Sequence, residues 1–121
     1  MILRTGVDLI ETNRIADAIE RHGERFLNRV FTEYELNDCK GRVTSLAARF
    51  AAKEAVAKAL GTGIGDVSWL DIEIRSDEKK APYLVLSGEG ERLAKQHGIK
   101  TWSMSLSNIE SQAIAFVVAT E

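Results

Sequence analysis

The sequence predicts a single α+β domain spanning residues 1–121, with helices mostly in the first half and strands mostly in the second. A long alanine-rich segment before Gly61 is a strong helix former. From residue 69 onward, short runs of alternating apolar and polar side chains are typical of half-buried strands. Because helices and strands are grouped rather than interleaved, the pattern favours α+β over alternating α/β.

The first predicted elements are a short strand at residues 3–9 and a helix capped by Thr12 or Asn13. Gly23 is expected to break this helix or to end it. The apolar side of the helix is formed by residues at helical spacing: Ile15, Ala18, Ile19, His22 and Phe26.

Two further helices complete the first half of the chain. Thr32 and Glu35 form the signature of a capping box, which predicts a helix from Thr32 to Cys39. The alanine-rich helix is expected to begin at residue 44 or 45 and to continue to residue 60, where Gly61 ends it. Its many small side chains would let another part of the molecule approach the helix backbone closely.

The second half of the chain predicts four strands and one helix. The strands are expected at 69–75, 82–86, 101–107 and 112–119, and the helix at 88–97. The last two strands would form a hairpin. The final strand is apolar enough to be buried on both faces.

Composition limits the classes of function. The chain is 45% hydrophobic and 28% charged with a formal net charge of −2, which is ordinary for a globular protein and argues against general nucleic-acid binding. No apolar run reaches the ~18 residues of a membrane span, and no signal peptide is expected. Cys39 is the only cysteine, so no internal disulfide can form, and we expect a cytoplasmic protein.

Two carboxylates stand out. Asp8 lies in the apolar run Gly6–Ile10, where an ionised group is costly unless it is paired or bound to a cation. Alternatively, Asp8 points outward at the strand end or caps the next helix. Glu54 lies four residues before Lys58, a spacing that also suits a surface ion pair. Magnesium typically takes one or two carboxylates together with water and substrate phosphates, so Asp8, Glu54 and a diphosphate would fit it.

Three glycines follow the alanine-rich helix, namely Gly61, Gly63 and Gly65. A phosphate loop of the Walker type has its glycines before a helix, so this is a different arrangement. The helix C-terminus would repel phosphate, and Lys58 would have to supply the attraction. The alternative is a simple helix cap followed by a loop.

Arginines recur along the first helical region. In one continuous helix they would form a stripe suited to an acidic helix of a partner protein, although interspersed acidic residues also allow an ordinary mixed surface. The members of the stripe are Arg14, Arg21, Arg25 and Arg29. Loop cations that could touch further phosphates, or simply be solvated, are Lys40, Arg42, Lys79 and Lys80.

Nearly the whole chain resembles the holo-[acyl-carrier-protein] synthases, the small bacterial 4′-phosphopantetheinyl transferases. The resemblance depends on GVDLI at 6–10 followed by Arg14-Ile15, on VFTEYEL at 30–36, and above all on RFAAKEAVAKALGTG at 49–63. It implies a small antiparallel sheet packed with a long central helix. It also implies transfer of phosphopantetheine from coenzyme A to a serine of an apo-acyl carrier protein in fatty acid biosynthesis, with release of adenosine 3′,5′-bisphosphate.

The resemblance also implies roles for individual residues. Asp8 and Glu54 would hold magnesium on the diphosphate, and Lys58 would contact the transferring phosphate. The general base stays open between Glu54 and Asp8. Arg49 and Lys53 would serve coenzyme A phosphates or a local ion network. The remaining residues implied in coenzyme A binding are Gly61, Gly63 and Asn108.

The resemblance further implies a homotrimer with active sites between subunits, and a carrier-docking edge formed by Arg14, Arg21 and Arg25. The sequence departs from the family at two positions. Asn108 stands where histidine is common, and its amide can donate or accept a hydrogen bond but cannot take up a proton. Lys80 stands where glycine is common. Two alternative functions are a non-catalytic oligomeric module that binds a nucleotide or carrier protein, and a general magnesium-dependent nucleotidase.

Overall fold

Two antiparallel sheets and five helices make up the structure, a computed structural model that describes residues 1–121. The helices are α1 Thr12–His22, α2 Glu24–Val30, α3 Glu33–Cys39, α4 Val43–Ala59 and α5 Gly88–Gln96. The strands are β1 Leu3–Glu11, β2 Ile72–Ser76, β3 Pro82–Leu86, β4 Thr101–Asn108 and β5 Gln112–Thr120. The predicted α+β class is confirmed.

The larger sheet has the strand order β1–β5–β4, and β2 and β3 form a separate hairpin. The hairpin predicted for the last two strands is confirmed, with Thr101 opposite Thr120. The inner face of β5 presents small side chains, including Ala113 and Ala115, which are fully or almost fully buried. Helix α4 packs against this face, and eleven of its residues are buried, so α4 lies at the centre of the domain.

Gly6 on β1 lets the strand pass directly against α4. A methyl group at this position would overlap the backbone carbonyl of Ala55. The strand and the helix are therefore in backbone contact, which brings the next inward-facing residue of β1, Asp8, beside the C-terminal half of α4.

We expect Gly6→Ala to lower the free energy of unfolding by about 3 kcal/mol, because the added methyl group must push β1 away from α4. Urea denaturation would measure this loss. Gly63→Ala is the matched control, since a methyl group there meets no atom within 4 Å, and it should change stability by no more than ~0.5 kcal/mol. Equal midpoints for the two variants would contradict the close contact.

The outer face of β1 and β5 in the larger sheet is apolar and exposed. Val7 lies opposite Phe116, and Leu9 lies opposite Ile114, so these four side chains share one face. The prediction that the final strand is buried on both faces is therefore wrong for the single chain: Phe116 is 45% exposed. The apolar character of the strand is real, but nothing within this chain covers the outer face.

Several element boundaries differ from the prediction because local hydrogen bonds decide them. Residues Trp69–Asp71 form a 3₁₀ turn instead of the start of a strand, since the Ser68 hydroxyl accepts from the Leu70 N–H. Helix α1 has no side-chain cap, and the Thr12 hydroxyl donates to the Glu110 carbonyl instead. The capping box of Thr32 and Glu35 is confirmed.

Gly23 divides the first helical region, as predicted. Its φ of 54° ends α1, and α2 begins at the next residue. The arginines at 14, 21, 25 and 29 therefore belong to two helices and do not form a stripe on one continuous helix. None of the five helices has both the length and the apolar character needed to cross a membrane.

Candidate active site

Asp8 faces α4, where its partner is Lys58. The Lys58 ammonium donates to the Val7 carbonyl at 2.8 Å and lies 3.3 Å from Asp8 Oδ1. Both alternatives for Asp8, an outward carboxylate and a helix cap, are wrong: its neighbours on the inner face, Gly6 and Ile10, are buried, and Glu11 occupies the cap position of α1. The structure thus joins two residues that are 50 positions apart in sequence.

Glu54 lies one helical turn before Lys58 and is half-buried. The simple ion pair between these two residues is absent, because the Lys58 ammonium pairs with Asp8 instead. Burial raises the pKa of the Glu54 carboxyl, and the negative charge of Asp8 raises the pKa further. The positive charges of Lys58 and Arg14 act in the opposite direction. Glu54 and Asp8 are therefore close enough to repel each other.

This arrangement fits a magnesium ion. Carboxylate oxygens are the hard ligands that magnesium prefers, and a divalent cation would relieve the repulsion between Asp8 and Glu54. The structure contains no group of three or more histidine, cysteine, aspartate or glutamate side chains suited to hold a metal. Two carboxylates would leave the other coordination positions to water and substrate phosphates.

A cleft of about 440 Å³ opens beside Glu54. Its wall comes from the segment 64–69 that follows α4, and Arg29 of α2 lies at its edge. The Trp69 ring packs on the Phe50 ring with a centroid distance of 4.5 Å. Sequence reasoning missed the role of Trp69, because its alternating pattern suggested a strand residue. Nothing in the sequence signals that Glu54 and Trp69, which are 15 positions apart in the chain, line the same cleft.

Arg49 and Asn108 line a different cavity of about 540 Å³. Arg49 is buried, donating from Nε to the Ile74 carbonyl and from Nη1 to the Cys39 sulfur, and it pairs with Asp38. Two of the loop cations, Arg42 and Lys80, line the same cavity. Within one chain, this cavity includes none of Asp8, Glu54 and Lys58.

Lys53 is fully buried, with its ammonium 2.7 Å from Glu35 Oε1. The resemblance implied either a local ion network or a contact with a coenzyme A phosphate for Lys53. The structure shows the ion network, and the buried ammonium is not exposed to a coenzyme A phosphate.

The two glycines considered for coenzyme A binding lie apart from the Glu54 cleft. Gly61 has a φ of 77° and lines a third cavity, with Arg4 and His97. Gly63 is exposed, and Gly65 is the glycine that lines the cleft. Gly61 thus has the positive φ of a residue that follows a helix end.

The arginines considered for partner binding are all exposed. Arg14 and Arg21 lie on α1, and Arg25 lies on α2. Arg14 is close enough to Glu54 to lower its pKa. A partner held by Arg14 would therefore lie next to the carboxylate pair.

Comparison with known proteins places this geometry in a family. The model of the 4′-phosphopantetheinyl transferase superfamily matches residues 4–117. The chain belongs to this superfamily. A holo-[acyl-carrier-protein] synthase of Halothermothrix orenii is 51% identical over 100% of this chain and 99% of its own length. The family resemblance and the enzyme class predicted from the sequence are confirmed.

Solved structures agree with this assignment. The holo-[acyl-carrier-protein] synthase of Helicobacter pylori, in complex with coenzyme A, has a TM-score of 0.88 and 37% identity, covering 96% of this chain and 99% of that chain. The synthase of Neisseria meningitidis has a TM-score of 0.89 and 38% identity, covering 98% of each chain. The fold of the transferase is therefore that of the solved synthases along nearly its full length.

Proposed function

We propose that this transferase moves 4′-phosphopantetheine from coenzyme A to a serine of an apo-acyl carrier protein, at a site centred on Asp8, Glu54 and Lys58. The observation that carries the residue assignment is the meeting of two carboxylates and one ammonium at the contact of β1 with α4. The names of the relatives and the coenzyme A bound to the Helicobacter pylori synthase support the substrates. Adenosine 3′,5′-bisphosphate is the second product.

Asp8 and Glu54 would hold the magnesium ion. When bound, the ion supplies charge neutralisation on the diphosphate. The Lys58 ammonium stabilises negative charge on the transferring phosphate. Its contact with the Val7 carbonyl places the ammonium beside Asp8, where the transferring phosphate would lie.

The serine hydroxyl of the carrier protein must lose a proton as it attacks. Glu54 and Asp8 are the two candidate bases, because both carboxylates lie at the contact of β1 with α4.

We also propose that the donor site is completed by a neighbouring subunit in a homotrimer. Two observations support this proposal. The polar cavity lined by Arg42, Lys80 and Asn108 offers two cations for phosphate and one amide for a base, yet it is separate from Glu54 within one chain. In addition, β1, which carries Asp8, has an uncovered apolar outer face. Packing of copies through this face would bring the two half-sites together.

The cytoplasm is the proposed location, in fatty acid biosynthesis. The free thiol of Cys39 is buried and has no partner cysteine. This supports a reducing compartment.

The direct test is mass spectrometry of an apo-acyl carrier protein incubated with the purified transferase, coenzyme A and magnesium. We expect the carrier to gain one phosphopantetheine group. No mass gain with any divalent metal would contradict the proposed function. Cleavage of coenzyme A without a carrier would indicate a nucleotidase instead.

We expect the double variant Arg14→Glu/Arg21→Glu to raise the KM for the carrier protein by roughly 10- to 100-fold, because the exposed arginines would attract the acidic carrier. Binding of coenzyme A, measured by calorimetry, should stay within a factor of about two. The matched control is Lys95→Glu/Lys100→Glu, which reverses two exposed cations outside α1 and α2. Equal loss of carrier and coenzyme A binding would contradict a docking edge.

A further inference from the structure

The most deeply buried charges of the molecule are Lys53 and Glu35, both with no exposed side-chain surface. The Lys53 ammonium donates to the Trp69 carbonyl at 2.9 Å and to the Ile72 carbonyl at 2.8 Å, in addition to its pairing with Glu35. Glu35 accepts from the backbone N–H groups of Thr32 and Ile74. Every donor of the ammonium and both oxygens of the carboxylate are therefore used.

These contacts connect the helix that carries Glu54 to the wall of the Glu54 cleft. Lys53 directly precedes Glu54 on α4, and Trp69 is the last residue of the segment 64–69 that forms the cleft wall. The Trp69 ring packs on Phe50, one turn before Glu54 on the same helix. The cleft wall is thus attached to α4 twice, by the Lys53 ammonium and by the ring contact.

Stability alone does not explain the pair. Burying two charges costs several kcal/mol per ion, and replacing such a pair with apolar residues is often neutral or stabilising. The ammonium, in contrast, can do what no apolar side chain can do. It bonds two backbone carbonyls of one turn and so fixes that turn relative to α4.

We propose that Lys53 and Glu35 are positioning residues, which hold the cleft wall at residues 64–69 against Glu54 so that the substrate groups beside this carboxylate are correctly placed. This inference rests on the proposed role of Glu54. Glu35 acts through Lys53, because its carboxylate holds the ammonium in place against the Trp69 and Ile72 carbonyls. Burial lowers the pKa of Lys53, and Glu35 opposes that effect.

The test compares Lys53→Met with the double variant Glu35→Gln/Lys53→Met. Lys53→Met leaves a buried carboxylate without its cation and should lower Tm. The double variant removes both charges and should recover part of that loss. Neither variant can bond the Trp69 carbonyl, so both should have a kcat lower by at least ~10-fold, with the KM for coenzyme A nearly unchanged. All rates are measured well below the Tm of each variant.

A second readout follows the wall itself. The chain has two tryptophans, and Trp102→Phe leaves Trp69 as the only one. In this background, acrylamide should quench Trp69 more strongly in both Lys53 variants than in the parent. The matched control is Leu93→Ala, a partly buried change on α5 that lowers stability without touching the cleft. It should alter neither kcat nor quenching.

Recovery of kcat together with Tm in the double variant would overturn the proposal, as would unchanged quenching in both Lys53 variants. If Lys53→Met does not fold, kcat and the acrylamide quenching of the double variant test the proposal on their own. The quenching measurement requires no activity. A parent protein that lacks transfer would therefore contradict the proposed function, whereas the fluorescence would still show whether Lys53 holds the wall.

Discussion

Glu54→Gln should reduce phosphopantetheine transfer by at least ~10³-fold, because it removes both a proposed magnesium ligand and one of the two candidates for the general base. The amide has nearly the same shape, so the half-buried site should stay intact. Transfer is measured by the mass of the carrier protein over a range of magnesium concentrations. Saturating magnesium should not restore the rate.

The same substitution should increase the stability of the metal-free protein. Because the pKa of Glu54 is raised in the folded state, the folded chain binds this proton more tightly than the unfolded chain. Stability is therefore lost as the pH rises from the ordinary glutamate pKa to the raised one. At pH 7 the amide avoids that loss, and Tm should rise by roughly 1–3 °C.

The matched control for this prediction is Glu33→Gln, an exposed glutamate in the first turn of α3. It should leave transfer within a factor of two of the parent. Transfer by Glu54→Gln at more than about a tenth of the parent rate would contradict the assigned role. Binding of coenzyme A and carrier by an inactive parent would instead favour a non-catalytic binding module.

Phe116→Glu should convert the proposed homotrimer into monomers and abolish transfer. The substitution places a charge in the centre of the apolar outer face, opposite Val7, and burying an unpaired charge in an interface costs several kcal/mol. The side chain is exposed in the single chain, so the fold itself should survive. Light scattering after gel filtration gives the mass, and circular dichroism checks the fold.

Tyr83→Glu is the control for the assembly, since Tyr83 is similarly exposed but lies on β3, outside the larger sheet. The Tyr83→Glu variant should keep the same molecular mass in solution as the parent protein. A fully active Phe116→Glu monomer would contradict a site shared between subunits.

Mixing inactive Glu54→Gln with inactive Arg49→Met tests directly whether two subunits share a site. Random assembly should return about a quarter of the activity if each site takes Glu54 from one subunit and Arg49 from another.

The elements that the sequence predicted well are those decided by local interactions. The helix begun by Thr32 is an example, because its capping box involves residues three positions apart. The start of β2 was placed too early, because the hydrogen bonds of Ser68 and Asp71 produce a 3₁₀ turn that apolar alternation does not reveal. Periodicity reports which faces are apolar, and it does not report such short polar turns.

The sequence singled out three residues that the structure brings together, but it did not predict which of them form the ion pair. The resemblance singled out Asp8, Glu54 and Lys58, and these three do lie together. Helical spacing suggested an ion pair between Glu54 and Lys58, whereas the ammonium pairs with Asp8 from a distant strand. The burial of Lys53 with Glu35 likewise depends on tertiary contacts between residues 18 positions apart, which no local pattern encodes.

The contact of Gly6 with the Ala55 carbonyl has a practical meaning for protein engineering. Main-chain atoms, rather than interlocking side chains, determine how far the strand bearing Asp8 lies from the helix bearing Glu54. A combinatorial library could therefore diversify the exposed residues of α5 while leaving the separation of the two carboxylates unchanged, whereas the buried alanines of β5, on which α4 packs, must stay small. Gly6 is the position that such a library must keep fixed, since even the smallest side chain there would move the two carboxylates apart.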